Sequence, residues 1–369
     1  CALTVVVDIV GTAVKVLLKS AADNLGLPLS LTKPVAGEGA SLSASGVTGE
    51  VPTEEEGVPL PPQDVVTAFV SALRQSVKTR AAPPSKDKGA RQGVGLVVST
   101  SDARADIQSA AVLADSLLAV HGSVLRLHTL LASVTMLLGD GQAGQAQYTA
   151  QIEGIAHPVA DLKELCNSLR SNVPTLTRIL VEGTCAKILN FDGLSNRVGD
   201  AKWDMKEPSS DSSDYVSGIV QAMSGFAGAV QECRPELRRS MWGSASAMLF
   251  GSLTGAIAQV RKVSVSGRTH MKLDLAGVEA ALKALLPEGE RARILDAGRL
   301  PGAVRCEAYI TLYFLPTDMV VDFAGKHPEY SLKEMAAVAA TGLAEGLKRK
   351  ARQELERAIV LRREEYGID

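Results

Sequence analysis

The sequence has few aromatic residues and almost no net charge. Only 4% of its 369 residues are Phe, Trp or Tyr, and the formal net charge is -2. Proteins that bind nucleic acid through general attraction to phosphate carry a clear excess of Lys and Arg, so this balance argues against that class. The apolar fraction of 46% is ample for a globular core. A chain of this length can form two or three domains, or one elongated domain.

Cysteine is also scarce. The five cysteines are scattered, and no two of them have C-x-x-C spacing. In a chain of this size that pattern favours reduced thiols in a cytosolic protein over a disulfide framework. We expect no signal peptide, and the sequence contains no Asn-x-Ser/Thr glycosylation sequon. Because it starts at Cys1 and enters an apolar run at once, we expect it to be the C-terminal part of a longer protein.

Motifs of catalysis and metal binding are missing as well. The sequence contains no H-E-x-x-H and no G-x-S-x-G, and its five histidines do not cluster with Cys or Asp at ligand spacing. The string from Gly139 to Gly144 matches G-x-G-x-x-G. A dinucleotide site, however, requires a strand before this string, and here a leucine-rich helical segment precedes it. We therefore predict a loop at this string, and no enzyme activity, cofactor or metal for the chain.

Composition divides the chain into three parts. Residues 1–27 are apolar and read as a helical segment that continues from an upstream region. Residues 28–95 are rich in Gly, Ser, Pro and Glu, and we expect them to be largely disordered apart from a short helix near 63–78. Residues 96–366 show helical periodicity throughout and predict an α-helical domain.

The fold class that follows is all-α. The pattern of the third part predicts an elongated stack of antiparallel helices, with disordered inserts near the N-terminus. One long or broken helix is expected over 105–138, Pro174 is placed to open a further helix, and one last helix is expected from 332 to about 365. Ser331 and Glu334 have the spacing of a capping box, which predicts a helix start at this point.

The run from Ser240 to Val260 contains no charged residue. Its 21 residues match the length of a membrane span, and Gly251 and Gly255 have the spacing that allows close helix packing. Six Ser, Thr and Gln residues dilute its hydrophobicity. We therefore interpret the run as a helix buried in a bundle.

Large aromatic side chains concentrate late in the chain, so the best-packed core is expected there. The predicted core anchors are Trp203, Trp242, Tyr309, Tyr313, Phe314 and Tyr330. A short basic cluster also lies near the end, at Lys348, Arg349, Lys350 and Arg352. These four side chains are candidate contacts for a partner or for anionic lipid, although a solvated helix face is the favoured interpretation.

Taken in order, several sequence fragments resemble the C-terminal region of the syndetin family. They are Lys202-Trp-Asp-x-Lys-Glu207, Trp242, Gly267-Arg-x-x-Met-x-Leu-Asp274, Glu307-x-Tyr-Ile-x-x-Tyr-Phe-Leu, Asp318-Met319, His327-x-Glu-Tyr-Ser-x-Lys333 and Lys350-Ala-Arg-Gln-x-Leu355. The resemblance is carried by residues 198–360 and extends by helix order back to about residue 97. Each fragment is weak alone, and their common order gives the match its weight.

The resemblance implies a non-enzymatic subunit of a multisubunit vesicle tethering complex. Such proteins are cytosolic and associate peripherally with recycling endosomes or the trans-Golgi network. The implied complex is the endosome-associated recycling protein complex (EARP), and the implied partners are the subunits that it shares with the Golgi-associated retrograde protein complex (GARP), together with SNARE proteins. The implied role is endocytic recycling and SNARE-dependent fusion. We further expect exposed residues of the last two helices to form a docking surface. The alternative is a helical peripheral module that binds anionic lipids through the C-terminal basic cluster.

Overall fold

The computed structural model describes most of the chain after residue 99 and four separate positions before residue 20. The described residues are Thr12, Lys15, Val16 and Lys19, then 100–139, 145–191, 193–207, 209, 211–341, 343–344 and 346–368. The predicted segment 28–95 and nearly all of 1–27 lie outside the described residues, as does most of the loop predicted between Gly139 and Gly144.

Regular secondary structure in the described residues is α-helical, apart from one isolated antiparallel bridge between Asp296 and Arg299. This confirms the all-α class. The helices are α1 (Thr100–Gly139), α2 (Gln145–Ile188), α3 (Leu194–Asp200), α4 (Asp214–Val230), α5 (Pro235–Ala258), α6 (Val265–Leu285), α7 (Glu288–Ile294), α8 (Ala303–Leu312), α9 (Thr317–Lys326), α10 (Leu332–Thr341) and α11 (Arg349–Glu365).

The chain divides into two compact units. One contains Ser109–Gly183, and with it most of α1 and α2, where Leu113, Leu117 and Leu176 are buried. The other contains the start of α1, up to Gln108, together with Thr184–Asp369 and every helix from α3 to α11. The residues discussed below as a functional site all belong to this second unit.

Helix α5 is the centre of the second unit. It packs against α3, α7, α8 and α10. Pro235 occupies its first turn, where the missing N–H leaves no helical bond unmade. The uncharged run predicted to be a bundle helix forms most of α5, and side chains such as Leu249, Phe250 and Leu253 are almost fully buried. The burial confirms that interpretation, since an uncharged helix is what a bundle centre requires.

A different stretch has the dimensions of a membrane span. By length and composition, Arg104–Leu130 of α1 could cross a bilayer. Of its most apolar 18-residue stretch, 28% is buried in the protein. Length and composition alone do not separate a span from the core helix of a soluble protein.

Pro174 does not open a helix, contrary to the prediction. It lies inside α2, which runs without a break from Gln145 to Ile188. A proline inside a helix costs the bond to the carbonyl four residues earlier, but its fixed φ is itself helical. Val173 and Leu176 are buried on either side of it, so packing of the helix outweighs the lost bond.

The single helix predicted from 332 to about 365 is two helices, α10 and α11. Between them Leu343 and Gly346 have φ values of +50° and +68°, which end the right-handed helix. The amide of Ala344 donates to the carbonyl of Tyr313 at 2.8 Å, which anchors the corner to the end of α8. Leu343 in the corner and Leu355 in α11 are both buried.

Candidate functional site

Three of the fragments that carry the family resemblance meet around helix α6: 202–207, 267–274 and 307–315. The segment 202–207 crosses the start of α6. Ser264 binds this segment through both its backbone amide and its side-chain hydroxyl. Its amide donates to the carbonyl of Trp203 at 3.1 Å, and its hydroxyl donates to the carbonyl of Met205 at 2.7 Å. The same hydroxyl caps α6 by accepting from the amide of Gly267 at 3.0 Å. One serine therefore both starts the helix and fixes the segment to it.

Gly267 is required by this close crossing. A Cβ atom at this position would lie 1.9 Å from the carbonyl oxygen of Trp203, far inside van der Waals contact. The indole of Trp203 is buried and donates to the carbonyl of Val198 at 2.6 Å. Its ring lies 6.2 Å from the ring of Tyr215 and 6.0 Å from that of His270. The two fragments that begin at Lys202 and Gly267 thus form one joint.

Arg268 connects this joint to α8. It is 2% exposed, donates to the carbonyl of Tyr313 at 3.0 Å, and its guanidinium lies 4.8 Å from the centre of the Tyr313 ring. Burial lowers the pKa of the Arg268 guanidinium from its ordinary value. The phenol of Tyr309 donates to the carbonyl of Glu334, and that of Tyr330 to the carbonyl of Arg305, each at 2.8 Å. These aromatic residues act as hydrogen-bonded packing elements between helices.

The structure places five of the six predicted anchors in the core. Trp203, Trp242, Tyr309, Tyr313 and Tyr330 are each no more than 3% exposed. Phe314 is half-buried, and the ammonium of Lys272 lies 5.0 Å from the centre of its ring. Phe314 therefore lies at the edge of the core, where the ring is partly covered by a cation.

A cleft of about 520 Å³ opens beside the joint, between the segment 200–205 and the start of α4. Ser213 and His270 line it, and the Ser213 hydroxyl lies 3.2 Å from Nε2 of His270. Asp274 is also near, with Oδ1 at 3.8 Å from the same Nε2. In a serine–histidine–aspartate relay the carboxylate holds the opposite ring nitrogen. Here Nδ1 has no hydrogen-bond partner, so the three residues lack the relay geometry.

Asp274 has a structural task instead. Its Oδ1 accepts from the amide of Ser213 at 3.1 Å, which fixes the start of α4 to α6. Burial, together with the neighbouring Asp274 carboxylate, raises the pKa of Tyr215. Among the described residues no group of three or more His, Cys, Asp and Glu side chains could hold a metal ion.

Cys306 is a buried thiol on α8. Burial raises its pKa to about 12, and its side chain is fully covered. Since the thiolate is the reactive form, this cysteine behaves as a small apolar residue.

The basic cluster is divided by the structure. Lys348, Arg349 and Lys350 are exposed at the start of α11, and Lys350 lies 3.9 Å from Glu354. Arg352 has other partners: it donates to the carbonyls of Leu347 at 2.8 Å and Ala340 at 2.9 Å. It thereby holds the end of α10 against the start of α11. Three of the four predicted contact residues face solvent, and the fourth is a structural link.

Two features of this site were not predicted from the sequence. Glu279 is buried on α6 and binds Arg299 and Lys283, at 2.9 Å and 3.0 Å. In the sequence Glu279 resembles an ordinary solvated carboxylate on a helix, so the sequence did not predict its ion pairs with Arg299 and Lys283. The second feature is that one exposed side of α6 has no charge, because the charged residues of the helix turn inward or lie at its borders.

Comparison with known proteins gives a consistent result. A family model described as "Syndetin, C-terminal" matches residues 159–360, more than half of the chain. Syndetin of Gallus gallus is 25% identical over 180 residues, and syndetins of Rattus norvegicus and Mus musculus are each 24% identical over 179 residues. Each alignment covers 47% of this chain and 18% of the relative. The chain thus spans less than a fifth of the length of these relatives.

Proposed function

Because this chain belongs to the syndetin C-terminal family, we propose that it acts as a non-enzymatic subunit of a multisubunit vesicle tethering complex. The complex is EARP-like and operates in endocytic recycling and SNARE-dependent fusion at endosomes. The protein is cytoplasmic and associates peripherally with recycling endosomes or the trans-Golgi network. Its partners are the subunits that EARP shares with GARP, and SNARE proteins.

The observation that supports this proposal most is that residues of the family-like fragments have structural roles. Trp203, Gly267, Arg268 and Asp274 all join helices to one another, through the contacts described above. The cleft beside them lacks the hydrogen-bond geometry of a serine–histidine–aspartate relay. A subunit that works by presenting surfaces needs a rigid helical frame, and these residues build one.

The docking surface expected on the last helices is the first part of the proposal to test. Removing the chain after Tyr330 is a poor test, because α10 and α11 contribute buried residues such as Met335, Val338 and Ile359 to the core. Charge reversal of exposed residues leaves the core intact. We therefore choose the triple variant Lys348→Glu, Arg349→Glu and Lys350→Glu, with Arg357→Glu on the same helix as its control.

The decisive experiment is affinity purification of the full-length protein from cells, with mass spectrometry of the co-purifying subunits. The proposed function requires the subunits common to EARP and GARP to co-purify. Their absence would overturn it. Loss of one of these subunits from the triple variant, with retention in Arg357→Glu, locates a contact at the start of α11. Equal recovery in both removes that surface from the proposal.

A second candidate function is supported by the exposure of the same cluster. The Lys350 side chain is 90% exposed, and each basic residue near an anionic membrane contributes about 1 kcal/mol of attraction. The function would be peripheral binding of anionic lipid. In flotation with phosphatidylserine-containing vesicles, binding that falls with salt and is lost in the triple variant supports it. No flotation of the wild-type protein eliminates it.

A further inference from the structure

Helix α6 has an exposed side without charge. The α6 outer face consists of Val265, Thr269, Leu273, Ala276, Ala280 and Ala284, all exposed. Their spacing of three and four residues places them on one side of the helix, over about five turns. Val265 and Leu273 are each 53% exposed. The Thr269 hydroxyl already donates to the carbonyl of Val265 at 3.1 Å, so the one polar group of the face has a partner.

This arrangement departs from the usual amphipathic pattern, although apolar residues such as Leu275 and Leu282 are also buried. A surface helix normally turns its charged residues to solvent and its apolar residues to the core. In α6, Arg268, Asp274 and Glu279 are buried, whereas aliphatic side chains face outward. Single exposed aliphatic residues are common, but a continuous uncharged face marks an interaction surface.

The accessible charges along one border of the face are basic. Arg261 and Lys262 are exposed directly before α6, and Lys272 lies along one edge against Phe314. Lys283 lies on the same side and is paired with Glu279. Between residues 261 and 285 both acidic residues, Asp274 and Glu279, are buried. A partner that covers the face would therefore meet positive charge along its Lys272 border.

The opposite border is formed by the loop that follows Lys206. The Ser266 hydroxyl donates to the carbonyl of Lys206 at 2.7 Å, and Ser212 approaches Gly277. The exposed Glu207 and Asp211 outnumber the exposed Lys206 here, so this border has a net negative charge. The borders thus differ in sign, which gives a bound helix a preferred orientation.

We propose that the α6 outer face binds an amphipathic helix of a partner subunit. The apolar stripe of that helix is flanked by Asp or Glu on the side that meets Lys272. Leu273 inserts between its side chains, and the alanines at 276, 280 and 284 let the two helices approach closely. The inference rests on the proposed function, because it needs a complex in which a partner helix is present.

Photo-crosslinking in cells tests the contact directly. Benzoylphenylalanine replaces Leu273 in the full-length protein, and replaces Met319, which is 51% exposed on α9, in the control. The expected result is a crosslink from position 273 to a helix of one co-purifying subunit, with acidic residues beside an apolar stripe. Position 319 should not reach that peptide. Crosslinks from 273 to a second copy of this chain, or to a helix without acidic flanks, overturn the proposal.

A point variant measures the contribution of the face to assembly. Leu273→Asp should reduce recovery of the crosslinked subunit by about tenfold or more, since a charge would be buried in the contact. Lys272→Glu should reduce it less, and Met319→Asp should leave it unchanged. The thermal midpoints of all three should match the wild type, because the positions are exposed or half-buried.

The two levels of the proposal fail in different ways. If the wild-type protein does not co-purify with tethering subunits, the proposed function fails. If the wild type recovers them and Leu273→Asp recovers them equally, the function stands and the α6 contact is refuted.

Discussion

At the residue level, Gly267 shows how a single missing side chain fixes a tertiary contact. The backbone of Trp203 occupies the space that a Cβ would fill. We expect Gly267→Ala to lower the free energy of unfolding by about 1–3 kcal/mol, because the crossing segment must move away. Chemical denaturation of purified protein measures the change.

The matched control is Gly277→Ala on the same helix. The nearest atom to its added Cβ is the Ser212 hydroxyl oxygen at 4.0 Å, so the substitution meets no clash. Alanine is favoured over glycine in a helix by about 0.5–1 kcal/mol, and a small gain in stability is expected. Equal destabilisation by both substitutions would contradict the close crossing as the cause.

Glu279 makes stability depend on acid pH. Burial opposes its ionisation, but bonds from Arg299, Lys283 and the amide of Leu300 outweigh that effect and lower its pKa. The folded carboxyl group therefore binds its proton less readily than the unfolded one. Its stabilising contribution is complete above the ordinary glutamate pKa of about 4.3 and is lost as pH falls through the lower, folded value.

The corresponding variant is Glu279→Gln. It should cost roughly 2 kcal/mol near neutral pH, since a charged hydrogen-bond acceptor is removed. The difference in the free energy of unfolding between the wild type and the variant should shrink as pH falls, and should vanish at the most acidic pH that permits folding. Denaturation at a series of pH values measures both, and a constant difference across the series would argue against the ionised network. Glu288→Gln, at an exposed position, serves as the control.

At the level of secondary-structure elements, the corner between α10 and α11 depends on Arg352. Its two bonds to backbone carbonyls close the end of one helix against the start of the next. Arg352→Met keeps the length of the side chain and removes the donors. The expected cost is about 1–3 kcal/mol in thermal or chemical unfolding. Arg357→Met, at an exposed position on α11, should stay within about 0.5 kcal/mol of the wild type.

The start of α10 was predictable and the corner was not. Ser331 and Glu334 bind each other's backbone amides at 3.3 Å and 2.7 Å, as the capping-box spacing predicted. The partners of a capping box are three residues apart, so the sequence contains the whole interaction. The corner needs Tyr313, which lies thirty residues earlier, and its left-handed conformation at Leu343 has no residue-type signal.

At the level of the whole molecule, the second unit should fold by itself. Helices α3, α7, α8 and α10 pack directly on the buried helix α5, and α4, α6, α9 and α11 pack on these neighbours or on one another. A fragment of residues 184–369 omits the first residues of α1, which belong to the same unit. It loses the buried Ile107 and the exposed ion pair of Lys187 with Asp106, which contributes only about 0–1 kcal/mol, and it keeps the core around α5. We therefore expect one cooperative unfolding transition, seen alike by circular dichroism and tryptophan fluorescence.

The control is Phe250→Ala in the same fragment. Phe250 is fully buried on α5, and its truncation should lower stability by about 3–5 kcal/mol and shift the entire transition. Two separate transitions, of which only one responds to this change, would contradict a shared core.

The sequence by itself determined the helical class, the family and the identity of most large core residues. These properties depend on local periodicity, on short-range caps and on the order of fragments along the chain. Tertiary structure alone decided that Arg268, Asp274 and Glu279 turn inward, and that Leu273 faces solvent. Periodicity assigns charges to the surface by default. The exceptions arise because Tyr313, Ser213 and Arg299, all distant in the sequence, supply the partners that make burial of each charge favourable.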